Sequence, residues 1–158
     1  MQIRQIRPSD YQPVISVIDG WWNGRHMANM LPRLFFEHFT DTSFAAEGDG
    51  ELAGFLVGFL SQSRPGEAYI HFVGVHPAER GRGLGRELYQ CFFAAAQERG
   101  ASLVRAVTGP VNQGSVRFHQ QMGFGIELGD KQIGGVPVAA GYDGDGQDRV
   151  RFIKHLTT

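Results

Sequence analysis

The chain has 158 residues, 22 of them glycine and 7 proline, with 15 Lys+Arg against 16 Asp+Glu and a formal net charge of -1. That length suits one domain. With 42% hydrophobic residues, 12 Phe and 2 Trp it can bury a core, so the glycines mark backbone positions rather than disorder. The near-zero charge and the lack of a Lys/Arg run argue against binding to nucleic acid or an anionic membrane through the overall field, so any anion site is local. The longest apolar run, Ala53 to Leu60, holds two glycines and is too short to cross a bilayer. The opening MQIRQIRPSD lacks the apolar core of a signal peptide. The single cysteine, Cys91, excludes an internal disulfide and a Cys-based zinc cluster and fits a reducing cytoplasm. No metal is expected.

In chain order, Pro8-Ser9-Asp10 announces a first helix with Asp10 as N-cap, Pro13 in the first turn and Tyr11, Val14, Ile15, Ile18 and Trp22 along one face. A second helix opens at Pro32 and carries Leu34, Phe35, His38 and Phe39. From Ser43 the period changes to that of strands: SFAAE, a Gly48-Asp49-Gly50 turn, then ELAGFLVGFLSQS. A turn at Arg64-Pro65-Gly66 leads to a third strand, Glu67 to Val75, and the three form an antiparallel meander. A helix from about Gly83 to Arg99 places Leu84, Leu88, Cys91, Phe92 and Ala95 inward, with Gly100 at its end. A strand over Ser102 to Thr108, a short helix over Ser115 to Met122, and strands after Phe124 and near Asp148 to Leu156 complete a mixed α/β pattern. Residues 129–147 hold six glycines and read as a long loop or irregular hairpin.

The most informative stretch is VGVHPAERGRGLGREL, Val73 to Leu88, in which a strand stops at a proline and re-enters a helix through three alternate glycines. Bare N–H groups at a helix start form an anion cradle, and Arg80, Arg82 and Arg86 add positive charge. A diphosphate suits it. A dinucleotide-binding G-x-G-x-x-G fails because Arg86 stands where the last glycine belongs, and no Gly-Lys-Ser/Thr makes a P-loop.

On Arg80-Gly81-Arg82-Gly83-Leu84-Gly85, preceded by Val75-His76-Pro77, the chain resembles the GNAT superfamily of N-acetyltransferases, whose acyl-CoA signature is Gln/Arg-x-x-Gly-x-Gly/Ala. Downstream, NQGSVRFHQQMGF from Asn112 to Phe124 is similar to that family's Asn-x-x-Ala-x-x-Leu-Tyr-x-x-x-Gly-Phe segment. The resemblance covers roughly residues 67–128. It implies a single domain over residues 1–158, with a largely antiparallel sheet splayed between the fourth and fifth strands and helices on both faces.

The function it implies is transfer of an acetyl group from acetyl-CoA to a primary amine on a small molecule or peptide, without a metal. A catalytically silent acyl-CoA-binding module is the alternative. The resemblance gives the pyrophosphate to the main-chain N–H groups of Arg80, Gly81, Arg82, Gly83, Leu84 and Gly85. It gives the pantetheine arm to Val73 and Val75, with a bulge at Gly74, and further cofactor contacts to Asn112 and Ser115. Strand alternation puts Tyr69 and His71 on the side of Val73 and Val75. The family often carries its base just before that pair, so His71 is the expected general base, with Tyr69 and Glu47 behind it. His119 stands where relatives carry a tyrosine that protonates the departing sulfur. Trp21, Trp22, Arg25 and His26 border the implied acceptor site, although both tryptophans equally suit a core or a homodimer face. Cys91 suits the core better than catalysis.

Overall fold

The computed structural model describes residues 1–156. Among these described residues nine strands and four α-helices follow one another as β1 (Gln2–Gln5), α1 (Tyr11–Trp21), α2 (Leu34–His38), β2 (Phe44–Gly48), β3 (Glu51–Leu60), β4 (Glu67–Val75), α3 (Leu84–Glu98), β5 (Leu103–Thr108), α4 (Gln113–Gln121), β6 (Gly125–Ile126), β7 (Lys131–Ile133), β8 (Val136–Val138) and β9 (Val150–His155). Seven strands make one sheet in the order β1-β2-β3-β4-β5-β9-β6. Every pairing in it is antiparallel except β4 with β5. This is the expected mixed α/β architecture.

Two apolar clusters hold the layers together. On one face Val14, Ile18 and Trp21 of α1 and Phe36 of α2 pack with Phe55, Val57 and Phe72 of the sheet. On the other, Leu84, Leu88 and Phe92 of α3 and Val116 of α4 pack with Leu56, Ile70, Val104 and Phe152. Among the described residues no helix is long and apolar enough to cross a membrane.

Several local expectations need correction. Asp10 does not cap α1; its carboxylate turns back to accept from the Arg7 N–H at 2.7 Å and from the Arg4 guanidinium at 2.9 Å. Arg4 holds that carboxyl below its ordinary range against the opposing effect of burial, and also pairs with Glu47. The inward residue at the end of α1 is Trp21, not Trp22. The second helix is only five residues long and buries Phe36, a residue its expected face omits. Along α3 the buried positions are Leu84, Leu88, Tyr89, Phe92 and Ala96; Cys91 and Ala95 are half-buried. Burial raises the Cys91 thiol further above neutrality.

The late glycines resolve into a hairpin. β7 and β8 pair across Gly134-Gly135, both at positive φ (59° and 80°), which suits a tight two-residue turn. Asp148 accepts from the Gly141 N–H at 2.8 Å and pairs with Lys131 at 3.1 Å, while Asp143 pairs with Arg149 at 2.8 Å.

Candidate active site

The splay between β4 and β5 creates the site. The parallel ladder runs only from Glu67↔Leu103 to Tyr69↔Arg105, so β4 from Ile70 onward has no partner on that edge. On its other edge β4 stays paired with β3 as far as Val75. The His76 N–H donates to Ala53 O at 2.8 Å, toward β3. Because main-chain polar groups alternate edges, Gly74 also faces β3, whereas Val73 and Val75 present theirs to the open wedge.

The bulge lies at His71, not at Gly74. Val57 pairs with Phe72 but Gly58 pairs with Ile70, which leaves His71 as the extra residue on β4. Its consequence is a change of face: Ile70 packs in the α3 cluster, Phe72 in the α1 cluster, and Val73 and Val75 against the α3 side again. His71 therefore does not share a face with Val73 and Val75. Its ring stacks on Phe35 with centroids 4.4 Å apart and planes 6° from parallel. Its Nε2 lies 2.5 Å from Met30 O. A carbonyl only accepts, so Nε2 carries the hydrogen and Nδ1 keeps a lone pair. Gly74 is glycine for a packing reason, since a Cβ there would stand 2.5 Å from the Phe55 ring and 3.1 Å from Trp22.

At the far end of β4 the glycine loop turns into α3. Gly81 and Gly83 have φ of 78° and 85°, in the left-handed region. The first hydrogen bond of α3 runs from the Glu87 N–H to Gly83 O, so the N–H groups of Leu84, Gly85 and Arg86 have no acceptor within the helix. No side chain caps the helix start, and a Cβ at Gly81 or Gly83 would meet only open space. A diphosphate fits this cradle by charge and by room. Arg82 and Arg86 are exposed beside it. Arg80 is used differently from expectation: its Nη2 donates to Trp21 O at 2.7 Å and its Nε to Val75 O at 3.2 Å. Its guanidinium ties the end of α1 to the end of β4 and faces carbonyls rather than the cradle.

His119 is not placed as a proton donor to a departing thiolate. It is 6% exposed and stacks on Phe152 at 4.2 Å. Nδ1 lies 2.8 Å from Ser115 O, so Nδ1 carries the hydrogen and Nε2 accepts from the Tyr89 hydroxyl at 2.8 Å. Burial lowers its pKa to about 4, keeping the ring neutral. Asn112 caps α4, its carbonyl oxygen accepting from the Ser115 N–H at 3.1 Å. The Ser115 hydroxyl lies 3.3 Å from His119 Nδ1.

The remaining candidates separate. Burial pushes the Tyr69 phenol up to about 12, with Tyr142 and Asp143 acting in the same direction, so it is no base at neutral pH. Glu47 is occupied by Arg4 on the β1–β2 pair. Trp21 is a core residue, stacked on Phe55 and edge-on to His76. Trp22 is half-buried against Phe72. Arg25 and His26 are exposed at the tip of the α1–α2 connection, where His26 faces Asp19 at 3.8 Å. Met30 of the connection and Phe35 of α2 reach His71 instead, two residues without a motif to reveal them.

Comparison with known proteins agrees with this geometry. A family model described as the acetyltransferase (GNAT) family matches residues 2–124. L-2,4-diaminobutyric acid acetyltransferase of Nocardia farcinica is 32% identical over 83 residues, 52% of this chain and 43% of that protein. The chain spans about half or less of the first curated relatives it matches. Among solved structures, Ard1 from Thermoplasma volcanium superposes with a TM-score of 0.79 at 21% identity, covering 99% of this chain and 98% of that one. Diaminobutyrate acetyltransferase EctA from Paenibacillus lautus, in complex with L-2,4-diaminobutyric acid and coenzyme A, gives 0.72 at 19% identity over 98% and 93%. With the splayed β4 edge, the glycine cradle and a family match over most of its length, the chain belongs to the GNAT acetyltransferase family.

Proposed function

We propose that the protein transfers an acetyl group from acetyl-CoA to a primary amine by direct attack, with His71 as general base. One arrangement carries the reading. A histidine with a free Nδ1 sits at the bulge where β4 leaves β5, two residues before the open main-chain edge of Val73 and Val75 that leads to the cradle. Bound acetyl-CoA supplies the activated acyl carbon. The cradle N–H groups of Gly81 to Arg86 hold its diphosphate, with Arg82 and Arg86 adding charge, while Val73 and the Val75 N–H pair with the extended arm, the Val75 carbonyl being held by Arg80.

His71 Nδ1 takes the proton that an alkylammonium must lose before it can attack, and the Nε2–H···Met30 O contact fixes the tautomer that allows this. Main-chain N–H groups on the splayed edge donate to the carbonyl oxygen as negative charge grows there. His119, buried and neutral among Tyr89, Phe124 and Phe152, takes no part in proton transfer. The CoA thiolate leaves without an enzyme acid and takes up, through water, the second proton that the amide nitrogen sheds. The proposal includes a single catalytic domain over residues 1–158 and a cytoplasmic setting.

The test is thiol release from acetyl-CoA across a panel of primary amines, beside calorimetric binding of CoA. Acceptor-dependent release is the expected result. Tight CoA binding with no release for any amine would favour a silent acyl-CoA-binding module.

A further inference from the structure

We propose that Asp19 is a positioning residue for the transfer: its carboxylate fixes the turn whose Met30 carbonyl holds the His71 ring with Nδ1 free to take the proton of the amine. This rests on the assignment of His71 above and adds to it the residue that sets the base in place.

Asp19 is out of character for its position. It lies in the last turn of α1, where the free carbonyl ends of the helix disfavour a negative charge and where aspartate is a weak helix former. A residue that works against its own helix answers a demand from elsewhere in the fold. Its bonds show the demand. Oδ1 accepts from the Met27 N–H at 2.8 Å and from the Ala28 N–H at 3.0 Å, while Oδ2 faces the His26 ring at 3.8 Å.

Met27 and Ala28 begin a single 3-10 turn over Ala28–Met30, and their N–H groups are those that the start of a turn leaves without a main-chain acceptor. The turn closes as the Met30 N–H donates to Met27 O at 3.0 Å and the Leu31 N–H to Ala28 O at 3.1 Å. Its exit is anchored by Leu31, fully buried in the α1 cluster. At its entry Met27 and Ala28 are only partly buried against that cluster, and the Asp19 carboxylate supplies the polar anchor. Between the two anchors the Met30 carbonyl meets His71 Nε2.

This carbonyl decides what stacking cannot. Phe35, nearly parallel to the His71 ring, fixes the plane of the imidazole, but a half-turn about Cβ–Cγ keeps that plane and exchanges the two edges of the ring. Among the described residues the Nε2–H···O bond to Met30 is the one hydrogen bond of the His71 ring, so it alone selects between the two edges. In the flipped ring Nδ1 stands where Cδ2 stood and turns its lone pair away from the amine. Loosening the entry of the turn at Asp19 therefore reaches the base through one carbonyl.

The experiment follows acetyl transfer to ethylamine, 2-phenylethylamine and glycinamide in the wild-type protein, Asp19→Ala and Asp19→Asn, with CoA affinity by calorimetry and the His71 Nε2–H proton by NMR of 15N-labelled protein. Alanine is the better helix former here, so the alanine variant keeps its fold, which urea unfolding checks. Asparagine keeps the Oδ1 acceptor. We expect Asp19→Ala to lower kcat at least about fivefold with CoA affinity within about twofold, and to broaden or abolish the Nε2–H signal, because a base turned out of line loses rate without losing the cofactor. Asp19→Asn should restore both the signal and most of the rate. A sharp Nε2–H signal with parental kcat in Asp19→Ala would overturn the proposal. So would a lost signal with kcat unchanged, a lost kcat with the signal intact, or an asparagine variant as slow as the alanine one. If the parent acetylates none of the three amines, the catalytic reading of His71 fails by itself. The NMR signal then decides the hold of Asp19 on His71: its loss in Asp19→Ala with retention in Asp19→Asn supports that hold, and its survival in Asp19→Ala overturns it.

Discussion

Lowering the pH from 7 to 5 should destabilise the protein by about 2 kcal/mol through His119 alone. In the unfolded chain an imidazole takes a proton near pH 6.5, whereas buried His119, bonded to Ser115 O and the Tyr89 hydroxyl, stays neutral until about pH 4. Protons therefore bind the unfolded state first. The stabilisation is fully present above pH 6.5, falls as the pH drops toward 4, and is gone below that. At ~1.4 kcal/mol per pKa step the full effect is about 3 kcal/mol, most of it lost by pH 5. Urea unfolding at pH 7 and pH 5 measures it, with a Tyr89→Phe/His119→Leu double variant as the reference. That pair of changes removes the titrating ring together with its hydroxyl partner, so no polar atom of the pair is orphaned. All other groups titrate in both proteins, and the difference between them isolates His119. An equal loss in both would refute a neutral, buried His119 and would return it to the list of proton donors.

Three further substitutions probe the frame of the site. Arg80→Met removes the donors to Trp21 O and Val75 O; the expected loss is about 1 kcal/mol in urea, with a red shift of tryptophan emission as the end of α1 loosens. Gly74→Ala forces a methyl group into the Phe55 ring and should cost about 1–3 kcal/mol, read as a lower thermal midpoint. Gly83→Ala meets no atoms but sits at φ 85°, so its expected cost is about 1 kcal/mol of stability together with a roughly tenfold weaker CoA affinity by calorimetry, because the methyl group projects into the cradle.

What could be read from the sequence was whatever local chemistry dictates. Gly81 and Gly83 occupy left-handed positions that other residues rarely adopt, so the turn into α3 announces itself in the residue types. The Gly134-Gly135 turn is legible for the same reason. The meander and the alternation of β4 up to Ile70 follow from the period of two. The bulge at His71 does not, because it depends on how β4 registers against Gly58, where a Cβ would stand 2.3 Å from the Phe92 ring of a distant helix. Asp10 looks like a helix cap by type and position, and only the fold brings Arg4 to its carboxylate. His119 occupies a motif position, but the burial that keeps it neutral comes from distant elements, with Tyr89 of α3 on its Nε2 and Phe152 of β9 on its ring face. Met30 and Phe35 touch His71 through a main-chain carbonyl and a ring face, neither of which leaves a pattern in the sequence.

The most direct measurement compares His71→Gln with the parent protein, following acetyl transfer to a primary amine and CoA affinity in parallel. Glutamine keeps a donor for Met30 O but offers no base. The predicted result is a fall in kcat/KM of about 100-fold or more with CoA affinity within about twofold of the parent. Turnover that survives the substitution would contradict the assignment of His71 as the base.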